Sequence, residues 1–284
     1  MIPIASIRSH LTTFGGFTLP RTLARVTRIL ASDLDSVASI TEEIAGDPML
    51  VARVLGQANT AVAEPITALP IAVQSLGCGA VSALASNFTL IESDQRKPLA
   101  GCWSCANATA HMMQTMVEYR QTKLAKRVDE DTLRALGLLH DLGSAIGVIE
   151  WTSDYARACL RLKAGEGPLS QLFKEELGAD TCEIGGFLAQ AWNLPPPIST
   201  VMMHHQHPMD APDHLDLVCL VHVARNLVRA LGFNAPGDTV LDPIEERAVQ
   251  VIGLGAIDLE RILRRFLDNL DELEAYEATL LKSL

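Results

Sequence analysis

Gly137-Leu138-Leu139-His140-Asp141-Leu142-Gly143 places a histidine and a carboxylate side by side in apolar surroundings, and this stretch decides how the rest of the chain is interpreted. The apolar residues before His140 predict the end of a buried helix closed by a glycine. One imidazole nitrogen and one carboxylate oxygen can hold a divalent cation or polarise a water molecule. The alternative is structural, since a histidine at a helix end often bonds a backbone carbonyl and an aspartate often caps the next helix.

The composition limits the classes of function that the chain can have. It has 284 residues, 48% of them hydrophobic, and a formal net charge of -11. Such a chain can bury a large core, but it lacks the basic surface that drives nucleic-acid binding. The short basic run Arg120, Lys123, Lys126 and Arg127 is typical of a solvated helix face. No segment reaches the ~20 consecutive apolar residues that span a bilayer, so we expect a cytoplasmic protein without membrane insertion.

The six cysteines predict buried, reduced thiols, because they stand at irregular positions in apolar helical stretches. Cys102 and Cys105 form a C-x-x-C pair, which can also mark a redox centre or half of a zinc site. The first would need a thioredoxin-like strand and the second a partner motif, and neither is evident. The other four cysteines are Cys78, Cys159, Cys182 and Cys219.

Nearly every segment has the apolar spacing of a helix, so the predicted fold is all-α, with about a dozen helices in two lobes. Asp47 and Pro48 predict a helix-to-helix corner, with Asp47 as the N-cap. The polar residues 95–98 predict a break between an N-terminal lobe, 1–98, and a second lobe, 99–284. Residues 232–243 predict an exposed loop. Residues 268–281 predict an acidic helix, either docked on the core or free to bind a partner.

Several short motifs share their order and spacing with one known family. They are Leu19-Pro20, Ile44-Ala45-Gly46-Asp47-Pro48-Met49-Leu50, Gln57-Ala58-Asn59-Thr60, Ala72-Val73-Gln74-Ser75-Leu76-Gly77, the stretch around His140, Ala191-Trp192-Asn193-Leu194-Pro195 and His204-His205. Together they resemble the HDOD branch of the HD superfamily of metal-dependent phosphohydrolases. The resemblance implies an all-α, HD-like helical core with an N-terminal helical lobe.

The resemblance also implies which residues occupy the metal site of the hydrolytic relatives. A first histidine ligand falls on Cys105, which follows Trp103, and a further histidine falls on Thr181. The closing aspartate falls on Arg225, so a cation stands where a carboxylate is needed. His140, Asp141, His204 and His205 retain ligand types.

These losses predict a vestigial site that comprises Cys105, His140, Asp141, Thr181, His204, His205 and Arg225. We expect no bound metal, no cofactor and no catalytic residue. We further expect Arg225 to replace the ion and to pair with Asp141, because a planar guanidinium can bind a carboxylate bidentately. The alternative is that Arg225 points to solvent on an amphipathic helix.

The function implied by the resemblance is a non-catalytic bacterial regulator, a pseudoenzyme in signal transduction that acts through protein-protein contacts. The family is associated with two-component and cyclic-dinucleotide circuits, so other signalling proteins are the expected partners. Two alternatives stay open. One is a divergent metal-dependent phosphohydrolase or phosphodiesterase that uses the retained ligands. The other is a sensor of a phosphate-bearing small molecule in the vestigial cavity. The sequence leaves the oligomeric state open.

Overall fold

The computed structural model describes residues 1–30, 36–60, 62–120 and 128–270. Their fold is all-α, which confirms the prediction, and it includes one pair of two-residue parallel strands, β1 (Phe17–Thr18) and β2 (Thr89–Leu90). A short 3-10 helix covers Pro208–Asp210. The sixteen α-helices of the described residues are α1 (Ile4–Thr13), α2 (Pro20–Leu30), α3 (Val37–Ile44), α4 (Pro48–Ala58), α5 (Leu69–Leu76), α6 (Cys78–Ser86), α7 (Ser93–Arg120), α8 (Glu130–Leu139), α9 (Leu142–Glu150), α10 (Thr152–Lys163), α11 (Leu169–Leu177), α12 (Thr181–Ala191), α13 (Pro196–His204), α14 (Leu215–Ala230), α15 (Glu246–Val251) and α16 (Ala256–Asp268).

The corner between α3 and α4 forms as the sequence predicts. Asp47 is the N-cap of α4, where its Oδ1 accepts a hydrogen bond of 3.2 Å from the backbone N–H of Leu50. Pro48 occupies the start of the helix, where its missing N–H removes no helical bond. The hydroxyl of Thr18 donates to the other carboxylate oxygen and ties β1 to this corner.

The predicted break at residues 95–98 is wrong, because α7 runs through it from Ser93 and contains Pro98. A proline this close to the start of a helix removes only one backbone hydrogen bond, and the polar residues beside it belong to the first turns. The division into lobes 1–98 and 99–284 stays a prediction. The basic residues Lys123, Lys126 and Arg127 and most of the predicted acidic helix, from 271 onward, lie outside the described residues.

The long helix α7 runs through the core and packs against α8, α9, α14 and α16. Two glycines of the His140 stretch let neighbouring helices come close to it. A Cβ at Gly137 would lie 2.4 Å from the Ala110 Cα of α7, and a Cβ at Gly143 would lie 1.8 Å from the Thr181 carbonyl oxygen of α12. The two close crossings fix His140 and the residue after it between α7 and α12.

The stretch Glu130–Glu150, which comprises the successive helices α8 and α9, is long and apolar enough to cross a membrane by length and composition alone. However, 89% of its apolar window is buried inside the protein. The core helices of water-soluble proteins pass the same test, so its hydrophobicity is explained by its place between α7 and α12.

Candidate functional site

His140 ends α8 in a fully buried position, with 1% of its surface exposed. Its Nδ1 lies 2.7 Å from the carbonyl oxygen of Gly137, so this nitrogen carries the proton and donates to the backbone. Among the described residues, its Nε2 has no hydrogen-bond partner. Burial lowers the pKa of His140 to about 4, although the charge of Asp141 acts in the opposite direction. The side chain is therefore a neutral imidazole with one free lone pair.

Asp141 stands between α8 and α9 and is half-buried. Its Oδ1 accepts a hydrogen bond of 2.6 Å from the Ser144 hydroxyl. One ligand atom each from His140, Asp141 and His205 all lie within 4.8 Å of one another. We call these three residues the donor cluster.

His205 follows α13 and is 0% exposed. Its ring stands edge-on to that of His140, with a centroid separation of 5.0 Å and an interplanar angle of 87°. The Cys182 Sγ lies 3.7 Å from its Nδ1. Burial, the neighbouring His140 and the charge of Arg225 all lower the pKa of His205, so this ring is also neutral.

His204 is separate from the donor cluster. It is half-buried, and the carboxylates that act on its pKa are Asp210 and Asp213 rather than Asp141. Successive helical residues point about 100° apart, so a pair at a helix end cannot turn both rings to one site. The sequence could not tell which of the two histidines faces inward.

Thr181 begins α12, and its hydroxyl accepts a 3.2 Å hydrogen bond from the Gln206 side chain. It is buried, but it does not belong to the donor cluster. The next residue, Cys182, is the one that reaches His205, and we did not assign it to the site from the sequence. The rotation of α12 about its own axis decides which of these two side chains faces His205, and the sequence alone does not give that rotation.

Cys105 lies on α7 beside a small cavity of about 10 Å³ that His140 and Asp141 also line. That volume holds about one water molecule. Burial raises the pKa of the Cys105 thiol to about 12, so the side chain at this predicted site position is a neutral thiol. The indole Nε1 of Trp103 and the Nε2 of His140 both belong to residues that line this cavity, and neither has a hydrogen-bond partner within the described part of the chain.

Arg225 is buried, with 3% of its surface exposed, so the alternative of a solvent-facing residue is wrong. Its ion pairs are with Asp238 at 3.9 Å and with Asp242 at 3.7 Å, so the predicted bidentate pair with Asp141 is also wrong. Asp141 still acts on Arg225 through its charge, which raises the pKa of the guanidinium against the effect of burial.

The carboxylates that replace Asp141 as partners of Arg225 come from residues 232–243, which we predicted to be an exposed loop. Asp238 is buried there, with 8% of its surface exposed, and so is Ala235, which lines the cavity beside His140. The loop therefore covers the site. Its proline and glycine pattern indicated irregular backbone correctly, but such a pattern carries no information about burial.

His222 is a further residue of the site that we did not assign from the sequence. It is 3% exposed, its Nδ1 donates to the backbone carbonyl of His205 at 2.9 Å, and its Nε2 accepts from the Glu245 N–H at 3.0 Å. It lies three residues before Arg225 on α14, which is the spacing of one helix face. That spacing is the signal in the sequence that could have identified it.

Comparison with known proteins agrees with this architecture. The model of the HDOD domain matches residues 17–208. An uncharacterized protein of Treponema pallidum (strain Nichols) is 27% identical over 239 residues, which cover 78% of this chain and 44% of that protein. The chain thus spans less than half the length of this relative.

Two solved structures have the same fold. The MmoQ response regulator of Methylococcus capsulatus str. Bath superposes with a TM-score of 0.64 at 23% identity, over 87% of this chain and 97% of that one. An HDOD domain protein of unknown function from Geobacter sulfurreducens has a TM-score of 0.52 at 19% identity, over 99% and 98% of the two chains. With the domain match covering most of its length, the chain belongs to the HDOD domain family.

Proposed function

We propose that this protein is a non-catalytic signal-transduction module that acts through contacts with other proteins. The observation that carries the proposal is the burial of Arg225, which is 3% exposed. We use the term centre for the donor cluster, the cavity beside His140 and Arg225, and the family resemblance assigns the position of Arg225 to the closing carboxylate ligand of hydrolytic relatives. Its positive charge lowers the pKa values of both His140 and His205. A group that disfavours a proton on these imidazoles disfavours a divalent cation there more strongly, because the ion carries twice the charge.

The donor cluster supplies three ligands, two imidazoles and one carboxylate, which is the minimum for a catalytic metal ion. At an effective dielectric near 20, a fixed unit positive charge repels a divalent ion by about 4 kcal/mol even at a separation of about 8 Å. Cys105 is a neutral thiol and would have to lose its proton to serve as a fourth ligand, which its burial opposes. The residues present therefore fit a tightly held divalent ion poorly, and we derive no catalytic step through one.

The closed form of the site also favours a role without turnover. The cavity beside His140 has room for about one water molecule and none for a phosphate ester. A phosphate-bearing ligand, the sensor alternative, would not fit either without movement of the covering loop. The name of the similar MmoQ protein, a response regulator, belongs to that protein and supports a place for this chain in a comparable bacterial, cytoplasmic signalling circuit.

The test is metal analysis and an activity assay on the purified full chain. We expect no stoichiometric iron, manganese or zinc after dialysis. We also expect no phosphodiesterase or nucleotidase turnover above background with manganese, magnesium or iron. The phosphohydrolase alternative rests on the donor cluster, and it would be established by a turnover that disappears in both His140→Ala and Asp141→Ala.

A further inference from the structure

Residues 233–243 join α14 to α15 and cross the buried centre, and we call them the strap. Ala235 of the strap lines the same cavity as His140 and Asp141. The strap turns two carboxylates, Asp238 and Asp242, towards α14. The strap is thus both a cover for the centre and the source of the two carboxylates that form ion pairs with Arg225.

Arg229 on α14 holds the strap firmly. Its Nη2 lies 2.8 Å from Asp238 and its Nη1 lies 2.8 Å from Asp242. The same guanidinium donates to the Val240 carbonyl oxygen at 2.6 Å and to the Asn234 side chain at 3.2 Å. Arg229 is 3% exposed, and its bonds extend along the whole strap.

Arg225, one turn earlier, is as buried as Arg229 but poorly bonded. The same two carboxylates lie 3.9 and 3.7 Å from it, beyond hydrogen-bond distance. Its Nε has no partner among the described residues. Burial raises the pKa of Asp238 in spite of both guanidiniums, so this carboxylate is incompletely compensated as well. Two carboxylates fixed on one strap do not satisfy two guanidiniums one helical turn apart.

We propose that Arg225 and Arg229 form a binding site for a molecule that carries two carboxylates, and that Asp238 and Asp242 of the strap occupy this site from within. A guanidinium binds a carboxylate through two parallel N–H bonds, and Arg225 makes no such bond with the carboxylates of the described residues. The two carboxylates of an incoming ligand replace those of Asp238 and Asp242. Both buried arginines therefore keep a negatively charged partner. The strap then lifts and uncovers the centre.

The ligand displaces Asp242 first, because 39% of the Asp242 side chain is exposed whereas only 12% of the Asp238 side chain is. Asp242 also lines a surface cavity of about 330 Å³ with His222 and Pro243. Asp210 and Glu245 on the rim of this cavity oppose an incoming anion. Both are exposed, so salt near 0.15 M, with a Debye length of about 8 Å, screens their charges.

The experiment measures glutarate binding to the full chain by calorimetry, with the uncharged diamide of glutarate as the control ligand. Asp242→Asn removes one internal competitor, so a larger fraction of the molecules has an accessible site, and we expect glutarate to bind about tenfold more tightly or better. Arg225→Gln in the same background should lose that gain. The matched control is Glu260→Gln, in an exposed ion pair with Arg264 on α16, which should bind like the parent.

Equal glutarate affinity in the parent and in Asp242→Asn would overturn the proposal, as would equal binding of the diamide. If Asp242→Asn does not fold, hydrogen exchange of the parent decides. Saturating glutarate should then speed exchange of the backbone amides of the strap but not those of α16. Unchanged exchange in the strap would reject the displacement.

Discussion

Two regions of the molecule bury polar side chains, and they differ in how completely those side chains are bonded. At the corner before α4, Asp47 is 1% exposed and receives hydrogen bonds from the Thr18 hydroxyl and the Leu50 backbone. At the centre, His140 is equally buried, but one of its two ring nitrogens has no partner within the described residues. The bonds of Asp47 have a structural reason, because Asp47 caps α4 and ties β1 to it. The unpartnered Nε2 of His140 has no such structural reason.

The contrast separates a polar group that the fold itself bonds completely from polar groups that the fold leaves partly unbonded. Burying a polar group without a partner costs free energy, so native proteins rarely keep such groups without a reason. At the centre, His140, Trp103 and Arg225 each have an unpartnered atom among the described residues. In this chain the strap, which lies beyond the residues that match the HDOD domain, covers this polar centre.

The two arginines of the strap should give the largest effect on stability. Arg229→Ala leaves Asp238 buried beside a poorly placed Arg225, and breaking a buried pair of this kind costs about 3–5 kcal/mol. Arg225→Ala removes only the loose contacts, so we expect a loss of about 1 kcal/mol. Chemical denaturation of both variants measures the two free energies of unfolding. A larger loss for Arg225→Ala would mean that Arg225, not Arg229, holds the centre together.

The centre should also make the protein sensitive to acid. The pKa of His140 falls from its ordinary 6.5 to about 4 on folding, so between these values the unfolded chain binds the proton and the folded protein does not. This stability is complete above pH 6.5 and is lost as the pH falls to 4, by about 3 kcal/mol. His205 acts in the same direction.

Denaturation at pH 7, 5.5 and 4 tests this dependence, with His140→Gln as the comparison. The variant should lose less stability on acidification than the parent, because its side chain does not titrate. The matched control is His207→Gln, which changes an exposed histidine outside the donor cluster, and this variant should keep most of the pH dependence of the parent. Identical pH profiles for His140→Gln and the parent would show that the buried histidine does not set the acid limit.

The corner should show the opposite pH dependence. Burial raises the pKa of Asp47 from 3.8 to about 6, against the hydrogen bonds that lower it. The folded protein therefore binds a proton that the unfolded chain releases, and stability falls as the pH rises from 3.8 to 6. Asp47→Asn keeps an N-cap without a charge, so it should gain about 2 kcal/mol at pH 7 and nothing at pH 3.5. A loss at pH 7 in denaturation would mean that the carboxylate oxygens are needed as acceptors.

The sequence predicted the corner because its elements are local. An aspartate followed by a proline sets a cap and a backbone angle within two residues. The composition of the centre was also accessible, since the motif order pointed to Cys105, His140, Asp141, His205 and Arg225. The sequence could not show which residue of a neighbouring pair faces inward, as with His204 and His205. It also could not show that a loop with two aspartates folds back over Arg225, because the burial of an irregular segment depends on its tertiary contacts.

The smallest expected effect concerns Ser144, whose hydroxyl donates to Asp141 Oδ1 at 2.6 Å. This bond occupies one of the two carboxylate oxygens of Asp141. Ser144→Ala should cost about 1 kcal/mol, the net value of one hydrogen bond. Ser86→Ala, which removes an exposed hydroxyl bonded to the Ser82 carbonyl oxygen, should cost less.

Thermal unfolding of the parent and of both variants is measured with manganese and with a chelator. We expect the same melting temperatures in the two conditions, because the buried positive charge of Arg225 opposes a divalent ion at the donor cluster. A rise with manganese that Ser144→Ala enlarges would instead show that Ser144 competes with an ion for Asp141.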